Sequence, residues 1–287
     1  MKYVSFSHDG QWAVGELHDD GTILEVHCSD PSLGVLALVE AGSSAAAPRR
    51  GQKYHVDEVE LGAPFPALRR NIFCVGKNYR EHAAEFAGSG FDSGATQVIP
   101  DLPIIFTKAP STVTGPDARV SVPSGLSAAV DYEAELAVVI GKSGKAISKE
   151  QALEHVWGYT LLNDLTARDL QRDHKQWFLG KSPDDFAPMG PWAVTKDEVA
   201  LDNTLITSTV NGELRQKANT ADLIFDVPTL IATISAVMTL QPGDIIATGT
   251  PAGVGIGFDP PRFLADGDLV EVTATGLGTL RTRMHFE

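Results

Sequence analysis

Apolar and polar residues alternate in short segments over the first 40 positions of the chain. The opening ten residues follow this pattern, and breaks fall at Asp9-Gly10 and Asp20-Gly21. A period of two is typical of half-buried β-strands, and Asp-Gly is a favoured hairpin turn. A helical spacing follows near residues 33–40, and residues 42–51 have the composition of a surface connection. We therefore predict a small N-terminal β domain over residues 1–68.

Longer apolar runs occupy residues 69–287, which we assign to a main domain. The predicted strands cover residues 71–76, 104–108, 131–140, 158–163, 192–195, 207–211, 244–247 and 269–275. The predicted helices cover residues 79–86, 149–156 and 228–240, and Asp226 is placed to cap the last one. Because strands outnumber helices and do not alternate regularly with them, the pattern predicts an α+β, mainly β, fold rather than a doubly wound sheet.

Composition and charge exclude several classes of function. The 287 residues are 43% hydrophobic and 21% charged, which is typical of a globular protein. With 37 acidic against 23 basic residues the net charge is −14, which argues against binding to nucleic acid or to an anionic membrane. No apolar run reaches the length of a membrane-spanning helix, and the start does not resemble a signal peptide. The two cysteines, Cys28 and Cys74, are expected to be reduced thiols of a cytoplasmic protein.

Two glutamates placed two apart interrupt an otherwise apolar predicted strand. Side chains alternate along a strand, so Asp131, Glu133 and Glu135 are expected to point the same way. Three buried carboxylates on one face would repel one another, and a divalent cation would relieve this repulsion. The alternative is a strand with one solvated acidic face.

A second acidic segment follows the strand predicted at residues 158–163. Asp164 at the end of this strand can join Glu133 and Glu135, although it could also cap a helix. Three carboxylates with no Cys or His ligand nearby suit a hard cation such as Mg²⁺, Mn²⁺ or Ca²⁺ rather than zinc. Three protein ligands also leave positions for water and substrate oxygens, as in a catalytic centre.

Three further side chains are candidates for catalysis. Lys181 lies among apolar residues, where it could stabilise an enolate or an oxyanion, or instead be a solvated loop lysine. His82 and Glu85 are three apart on a predicted helix, so the carboxylate can orient the imidazole as a general base. This spacing also arises by chance.

Two glycine-rich segments are ambiguous. Residues 87–94 are expected to be mobile unless something orders them, and they could close over a substrate. Residues 248–257 lack the lysine of a phosphate loop, so they could form either a wall for a small anionic substrate or a structural turn.

Seven motifs occur in a fixed order: residues 74–85 (CVGKNYREHAAE), 106–108 (FTK), 131–141 (DYEAELAVVIG), 163–169 (NDLTARD), 180–182 (GKS), 211–213 (NGE) and 243–255 (GDIIATGTPAGVG). As an ordered set they resemble the fumarylacetoacetate hydrolase family, in its branch of acylpyruvases and 2-hydroxyhepta-2,4-diene-1,7-dioate isomerases. The resemblance covers residues 70–285, and residues 1–68 look like the variable N-terminal domain of many members.

The resemblance implies a C-terminal mixed β-roll or β-sandwich domain, a homodimer, and Mg²⁺ or Mn²⁺, sometimes Ca²⁺, held by Glu133, Glu135 and Asp164. It also implies that His82 and Glu85 activate water and that Lys181 supports an enolate. The residues that we assign to substrate binding on the same basis are Arg80, Lys108, Arg168, Gln171 and Thr250. Lys77 occupies a position at the pocket rim where members of the family vary.

These roles predict a metal-dependent hydrolase that cleaves the C3–C4 bond of a 2,4-dioxo acid, such as an acylpyruvate or fumarylpyruvate, through a metal-bound enolate. Such a reaction belongs to the catabolism of aromatic compounds. An oxaloacetate decarboxylase, or an isomerase or hydratase of a 2-hydroxydienoate, could use the same site. A binding protein that has lost catalysis is the alternative from another class. The expected partners are a small 2-oxo acid and a second copy of the chain.

Overall fold

The computed structural model describes residues 1–42, 50–88 and 98–287. The strands in these ranges are β1 (Lys2–His8), β2 (Gln11–Leu17), β3 (Thr22–Val26), β4 (Arg50–His55), β5 (Glu60–Gly62), β6 (Ile72–Gly76), β7 (Ile104–Lys108), β8 (Val113–Thr114), β9 (Ala118–Val122), β10 (Val130–Asp131), β11 (Ala134–Ile140), β12 (Val156–Asn163), β13 (Thr166–Ala167), β14 (Ala187–Thr195), β15 (Leu205–Val210), β16 (Glu213–Asn219), β17 (Ile245–Ala247), β18 (Leu269–Ala274) and β19 (Gly278–Phe286). The α-helices are α1 (Leu36–Ala41), α2 (Arg80–Gly88), α3 (Arg168–Asp173), α4 (Phe178–Lys181) and α5 (Val227–Val237).

One large sheet joins twelve of these strands. Its main order is β4-β3-β2-β1-β14-β12-β11-β17-β6-β7, with β5 paired to β1 and β8 paired to β14. Along the main order the pairs are antiparallel except for β17 and β6, which run parallel. The mainly antiparallel strands and few helices confirm the predicted α+β, mainly β, class.

A second sheet covers one face of the first. It has five strands in the order β16-β15-β18-β19-β9, and β15 and β18 contact β11. Leu136 and Val138 of β11 share a buried cluster with Ile206 of β15 and Val270 of β18. The main hydrophobic core therefore lies between the two sheets.

Strand β11 is buried on both faces, which explains its uninterrupted apolar run. Leu136 and Val138 face the core between the sheets, whereas Ala137 and Val139 pack in a second cluster on the opposite side. Because side chains alternate along a strand, Glu135 lies on the same face as Ala137 and Val139. The strand therefore carries its carboxylate on the face turned away from the five-stranded sheet.

The N-terminal strands continue the large sheet. Strand β1 pairs with β14, with Lys2 opposite Val194 and Tyr3 opposite Ala193. The second cluster also combines N-terminal with C-terminal side chains, among them Tyr3, Val14, Phe65, Ala137 and Val139. The division into residues 1–68 and 69–287 stays a prediction, but hydrogen bonds of one sheet and a shared core cross it.

Several predicted elements occur with shifted ends. The helix predicted at residues 79–86 is α2, and the one predicted at 228–240 is α5, whose N-cap Asp226 accepts from the Thr229 amide at 2.9 Å. The segment predicted as a helix at residues 149–156 is a 3₁₀-helix, Lys149–His155. The strand predicted at residues 131–140 is interrupted, because β10 ends at Asp131 and β11 begins at Ala134.

Some predictions lie wholly or partly outside the described residues. These are most of the surface connection at residues 42–51 and residues 89–94 of the first glycine-rich segment. Among the helices that the structure describes, none is long and apolar enough to cross a membrane. Both cysteines are free thiols, as predicted, and Cys74 is buried.

Candidate metal centre and active site

Three carboxylates converge at the ends of β11 and β12. Glu133, Glu135 and Asp164 are buried, and each offers an oxygen within 4.8 Å of the oxygens offered by the other two. The antiparallel register places Ala134 opposite Asn163, and the Asp164 amide donates to the Glu133 carbonyl at 2.9 Å. This pairing explains how residues about 30 positions apart meet. The structure thus brings together the three predicted metal ligands.

Buried cations hold two of these carboxylates. The Lys181 Nζ donates to Glu133 Oε2 at 2.8 Å and to Asp164 Oδ2 at 2.7 Å. The Lys108 Nζ donates to Asp164 Oδ1 at 2.7 Å and to the Leu165 carbonyl at 3.0 Å. Lys181 and Lys108 are both almost inaccessible to solvent. The two lysines therefore fix Asp164 from opposite oxygens.

The surroundings of Glu133 and Glu135 shift the pKa values of these two side chains in opposite directions. Burial alone would raise the pKa of Glu133, but the charges of Lys181 and Arg168 outweigh it and lower this pKa to about 2. Burial and the neighbouring Asp164 and Glu133 raise the pKa of Glu135 well above its ordinary value. Burial would lower the pKa of Lys181, yet the charges of Asp164 and Glu133 raise it, so this lysine stays cationic.

The donor set fits a hard divalent cation. Glu135 Oε2 accepts from the Gly249 amide at 2.9 Å, and no cation of the described chain lies within ion-pair distance of this carboxylate. A divalent ion bound by Glu133, Glu135 and Asp164 would supply the missing positive charge. Carboxylate oxygens without a Cys or His ligand favour Mg²⁺, Mn²⁺ or Ca²⁺.

Asp131 has a different role from the one predicted. It was expected to point the same way as Glu133 and Glu135, but the break between β10 and β11 separates it from the other two carboxylates. Its side chain accepts from the amides of Gly255 (2.6 Å) and Ile256 (3.2 Å) and from Arg168 Nε (2.9 Å). Asp131 therefore positions an arginine and a glycine-rich loop instead of joining the metal cluster.

Arg168 connects this carboxylate to the site. Its Nη1 donates to Gln171 Oε1 at 3.2 Å, one turn along α3. Its Nη2 lies 2.7 Å from Glu133 Oε1, in an ion pair whose geometry does not meet that of a hydrogen bond. Burial would lower the pKa of Arg168, but the charges of Asp131 and Glu133 raise it. The guanidinium thus stays charged beside the cluster.

The predicted dyad of His82 and Glu85 is formed on α2. His82 Nδ1 lies 3.2 Å from Glu85 Oε2, and Glu85 Oε1 accepts from the Gly253 amide at 3.0 Å. A carboxylate can only accept, so Glu85 accepts a hydrogen bond from Nδ1–H, and the lone pair of the neutral imidazole lies on Nε2. Nε2 makes no hydrogen bond to any residue that the structure describes. The imidazole is therefore oriented to take a proton at Nε2.

A narrow pocket, with a cavity volume of about 20 Å³, brings these groups together. Six of the predicted site residues line it: His82, Glu133, Arg168, Gln171, Lys181 and Thr250. Phe86, Phe106 and Trp177 form an aromatic wall, with Trp177 5.9 Å from Phe86 and 5.1 Å from Phe106 between ring centroids. Lys77 also lines the pocket, and its Nζ lies 5.4 Å from the centre of the Phe86 ring.

Two residues assigned to substrate binding lie elsewhere. Lys108 does not line the pocket, because its amine is bound to Asp164 and the Leu165 carbonyl behind the carboxylate cluster. Arg80 is exposed and lines a separate surface groove together with Tyr79 and Lys217. The structure gives Lys108 a supporting position and leaves the role of Arg80 a prediction.

Sequence reasoning missed several residues that shape the site. The amides of Gly253, Gly255 and Ile256 hold Glu85 and Asp131, although their segment was interpreted only as a wall or a turn. The buried Gln216 on β16 donates to Thr250, and no local pattern distinguishes it from other polar residues of a strand. The motif at residues 106–108 did point to Lys108, but not to its pairing with Asp164.

Comparison with known proteins places this arrangement in context. Residues 71–285 match the family model described as fumarylacetoacetate (FAA) hydrolase C-terminal. The oxaloacetate tautomerase YisK of Bacillus subtilis is 52% identical over 232 residues, which cover 80% of this chain and 75% of that protein. A fumarylacetoacetate hydrolase from psychrophilic Exiguobacterium antarcticum has 39% sequence identity and a TM-score of 0.85, with 100% of both chains covered. A 5-carboxymethyl-2-hydroxymuconate delta-isomerase from Mycobacterium smegmatis has 32% identity and a TM-score of 0.79, also with 100% of both chains covered.

Proposed function

The chain belongs to the fumarylacetoacetate hydrolase family, and from this premise we propose that it is a metal-dependent enzyme that interconverts the keto and enol forms of oxaloacetate. The substrate class is a small 2-oxo acid with an acidic proton at C3. The relative with 52% identity, which is named as an oxaloacetate tautomerase, supports this choice among the reactions open to the site.

One observation carries the proposal. The imidazole of His82, the amine of Lys181 and the guanidinium of Arg168 line the same narrow pocket beside Glu133. Enolisation needs a base at C3 and positive charge at the 2-oxo oxygen, because removal of the C3 proton moves negative charge onto that oxygen. A base and fixed cations that line one pocket meet both needs.

Glu133, Glu135 and Asp164 are the residues that would hold the divalent cation. When bound, such an ion polarises the carbonyl of a 2-oxo acid and stabilises the developing negative charge. We propose Mg²⁺ or Mn²⁺ as the physiological ion, with Ca²⁺ as the alternative, because the ligands are all carboxylate oxygens.

His82 is the proposed base. Its Nε2 removes a proton from C3, while Glu85 holds the Nδ1–H and stabilises the imidazolium that forms. The 2-oxo oxygen then takes up one proton from solvent and the imidazolium releases one, so the substrate gains and loses no atoms overall. In the opposite direction, the imidazolium returns a proton to C3.

Lys181 is the proposed electrostatic partner of the enolate oxygen. Two of its three N–H groups donate to Glu133 and Asp164, which leaves the third for an oxygen in the pocket. Its raised pKa keeps it charged through the reaction. The Arg168 guanidinium adds a second fixed positive charge for a substrate carboxylate.

Hydrolytic cleavage of a 2,4-dioxo acid is the second candidate. The His82–Glu85 dyad favours it, because an oriented imidazole can equally remove a proton from water that attacks the C4 carbonyl. The similarity to a fumarylacetoacetate hydrolase supports it as well.

Decarboxylation of oxaloacetate and isomerisation or hydration of a 2-hydroxydienoate would use the same cations. A binding protein without catalysis is disfavoured by the retained dyad and lysine.

The test is to add protein and Mg²⁺ or Mn²⁺ to freshly dissolved oxaloacetate, acetylpyruvate or fumarylpyruvate. We expect faster equilibration of the oxaloacetate enol, followed by its ultraviolet absorbance, without accelerated release of pyruvate. The variant His82→Gln should slow this reaction by roughly 10² to 10⁴, because it removes the base. His27→Gln, which changes an exposed histidine outside the pocket, serves as the matched control.

Other results would redirect the assignment. Pyruvate release from an acylpyruvate without any effect on oxaloacetate would replace the tautomerase by the hydrolase. Metal binding without turnover of any of these acids would favour the binding protein. We also propose, from the family alone, a homodimer in the cytoplasm, and light scattering of the purified protein measures the oligomeric state.

A further inference from the structure

The buried amide of Gln216 lies between the metal-binding strand and the pocket wall. Its Oε1 accepts from the Ala134 amide at 3.0 Å and from Ser208 Oγ at 2.9 Å. Its Nε2 donates to the Pro251 carbonyl at 2.8 Å and to Thr250 Oγ1 at 2.7 Å. Gln216 is fully buried, so all four interactions occur away from solvent.

Backbone groups fix the orientation of this amide. The Ala134 N–H can only donate, so the side-chain atom that faces it must be the oxygen. The Pro251 carbonyl can only accept, so the atom that faces it must be the nitrogen. If the amide oxygen and nitrogen of Gln216 were exchanged, the side-chain NH₂ would face the Ala134 N–H, and the side-chain oxygen would face the Pro251 carbonyl. Gln216 therefore presents an N–H to Thr250 in a defined direction.

This N–H determines what the Thr250 hydroxyl can do. Thr250 Oγ1 accepts from Gln216, and it makes no other hydrogen bond within the described ranges. Its own proton is therefore available for an acceptor, and Thr250 lines the pocket beside Arg168 and Lys181. Because the Thr250 oxygen already accepts from Gln216, its hydroxyl can donate to a group in the pocket.

We propose that Gln216 is a positioning residue that makes Thr250 a hydrogen-bond donor to an anionic oxygen of the substrate. This inference rests on the proposed function, in which that oxygen belongs to the carboxylate of a 2-oxo acid. Arg168, Lys181 and Thr250 then give the pocket three donors directed at oxygen. The site therefore selects an acid over the corresponding amide, whose N–H₂ group would meet a donor instead of an acceptor.

The chain offers a matched set of variants. Thr250→Val removes the donor and keeps the shape, whereas Thr250→Ser retains the hydroxyl. Gln216→Glu keeps an acceptor for the Ala134 amide but replaces the N–H by an oxygen, so the Thr250 proton turns towards residue 216. Ser208→Ala removes one bond to Gln216 Oε1 and leaves the Nε2 side of the amide intact.

The measurements are KM and kcat for oxaloacetate and, independently of turnover, the affinity of the Mn²⁺-loaded protein for oxalate by calorimetry. We expect Thr250→Val and Gln216→Glu each to weaken oxalate binding and raise KM by roughly 10- to 100-fold, with a smaller change in kcat, because each removes a hydrogen bond to a charged group. Thr250→Ser should recover most of the oxalate affinity that Thr250→Val loses, and Ser208→Ala should stay within about threefold of the wild type. In the Thr250→Val background, Gln216→Glu should add little, since it acts through the same hydroxyl.

Wild-type oxalate affinity in Thr250→Val would overturn the inference, and so would an affinity in Thr250→Ser as low as in Thr250→Val or full additivity of the two substitutions. If Gln216→Glu does not fold, the comparison of Thr250→Val with Thr250→Ser still decides whether the hydroxyl acts as a donor. Calorimetry with Mn²⁺ alone shows whether the carboxylate cluster is intact in each variant. If the wild type fails to turn over oxaloacetate, the proposed function fails, whereas the oxalate titrations still test the role of Gln216 and Thr250.

Discussion

Among the residues that the structure describes, Glu135 is the carboxylate of the proposed metal cluster without a cationic partner. Lys181 neutralises Glu133 and Asp164, while Glu135 is held by the Gly249 amide alone among the described groups. Burial and the neighbouring charges of Asp164 and Glu133 raise its pKa well above the ordinary value. In the metal-free protein, Glu135 is therefore protonated over part of the pH range in which exposed glutamates are ionised.

This shift predicts that metal binding releases a proton. Below the raised pKa of Glu135 the ion must displace that proton, so the apparent affinity rises with pH, by up to about tenfold per pH unit. Above the raised pKa, Glu135 is already ionised, so its protonation no longer makes the apparent metal affinity depend on pH. Calorimetric titration with Mg²⁺ or Mn²⁺ in two buffers of different ionisation enthalpy measures the number of protons released. An affinity that is independent of pH, with no proton released, would contradict the assignment of Glu135 as a ligand.

Individual residues were predictable where their role depends on a local pattern. The alternation of a strand and the end of the next one indicated Glu133, Glu135 and Asp164. Asp131 obeys the same alternation in the sequence, but a break in the strand turns it towards Arg168. Periodicity does not report such a break, because it follows from the pairing of β10 with β13.

At the scale of elements, the loop of residues 253–257 connects two parts of the site. Its Gly253 amide holds Glu85 of the dyad, and its Gly255 and Ile256 amides hold Asp131, the partner of Arg168. Residues Gly255–Gly257 form a 3₁₀-helix that lies against α2. One short segment of backbone therefore holds the carboxylate partners of both His82, the proposed base, and Arg168.

Gly257 is a position in this loop where an added side chain would meet Glu85. A methyl group added there would collide with Glu85 Oε1, so Gly257→Ala should displace the carboxylate that orients His82. We expect kcat to fall by about 10- to 100-fold, since the base loses its orienting partner, while metal affinity stays unchanged. Steady-state kinetics and calorimetry with Mn²⁺ measure the two quantities.

The control for Gly257→Ala is the variant Glu85→Gln. If the glycine acts through Glu85, the double variant should be little slower than Glu85→Gln alone. A further large loss in the double variant would mean that the loop acts by another route, and wild-type turnover in Gly257→Ala would rule out the collision.

Elements were easier to predict than the contacts between them. The hydrophobic pattern indicated most strands and the helices α2 and α5, since each depends on a short stretch of sequence. The bonds of Gln216 to Ala134 and Thr250 join residues 82 and 34 positions apart. No single segment encodes such contacts, so the wall of the pocket could not be derived from the sequence.

For the whole molecule, a bound ion would connect β11 and β12, two neighbouring strands of the large sheet. Glu135 belongs to β11, Glu133 precedes it, and Asp164 follows β12, so the proposed ion would be held from both strands. A ligand that binds only the folded state stabilises it by RT ln(1 + [L]/Kd). The free energy of unfolding should therefore increase with the concentration of the metal ion.

Metal removal tests this coupling. At an ion concentration about 100 times Kd the stabilisation is about 2.7 kcal/mol, which raises Tm by about 5 °C relative to the protein in EDTA. Thermal unfolding followed by circular dichroism, with and without Mg²⁺ or Mn²⁺, measures the shift. Glu135→Gln, which removes one ligand, should show a much smaller shift. Equal midpoints for the wild type in both conditions would show that the ion does not bind the folded protein.

The packing of the N-terminal strands determines whether residues 69–287 could be transferred alone to another protein. Tyr3, Val14 and Phe65 share a buried cluster with Ala137 and Val139, which lie on the same face of β11 as Glu135. Residues 69–287 produced without the N-terminal strands would expose this apolar face beside the carboxylate cluster. Grafting residues 69–287 onto another host would therefore require a replacement for that lining.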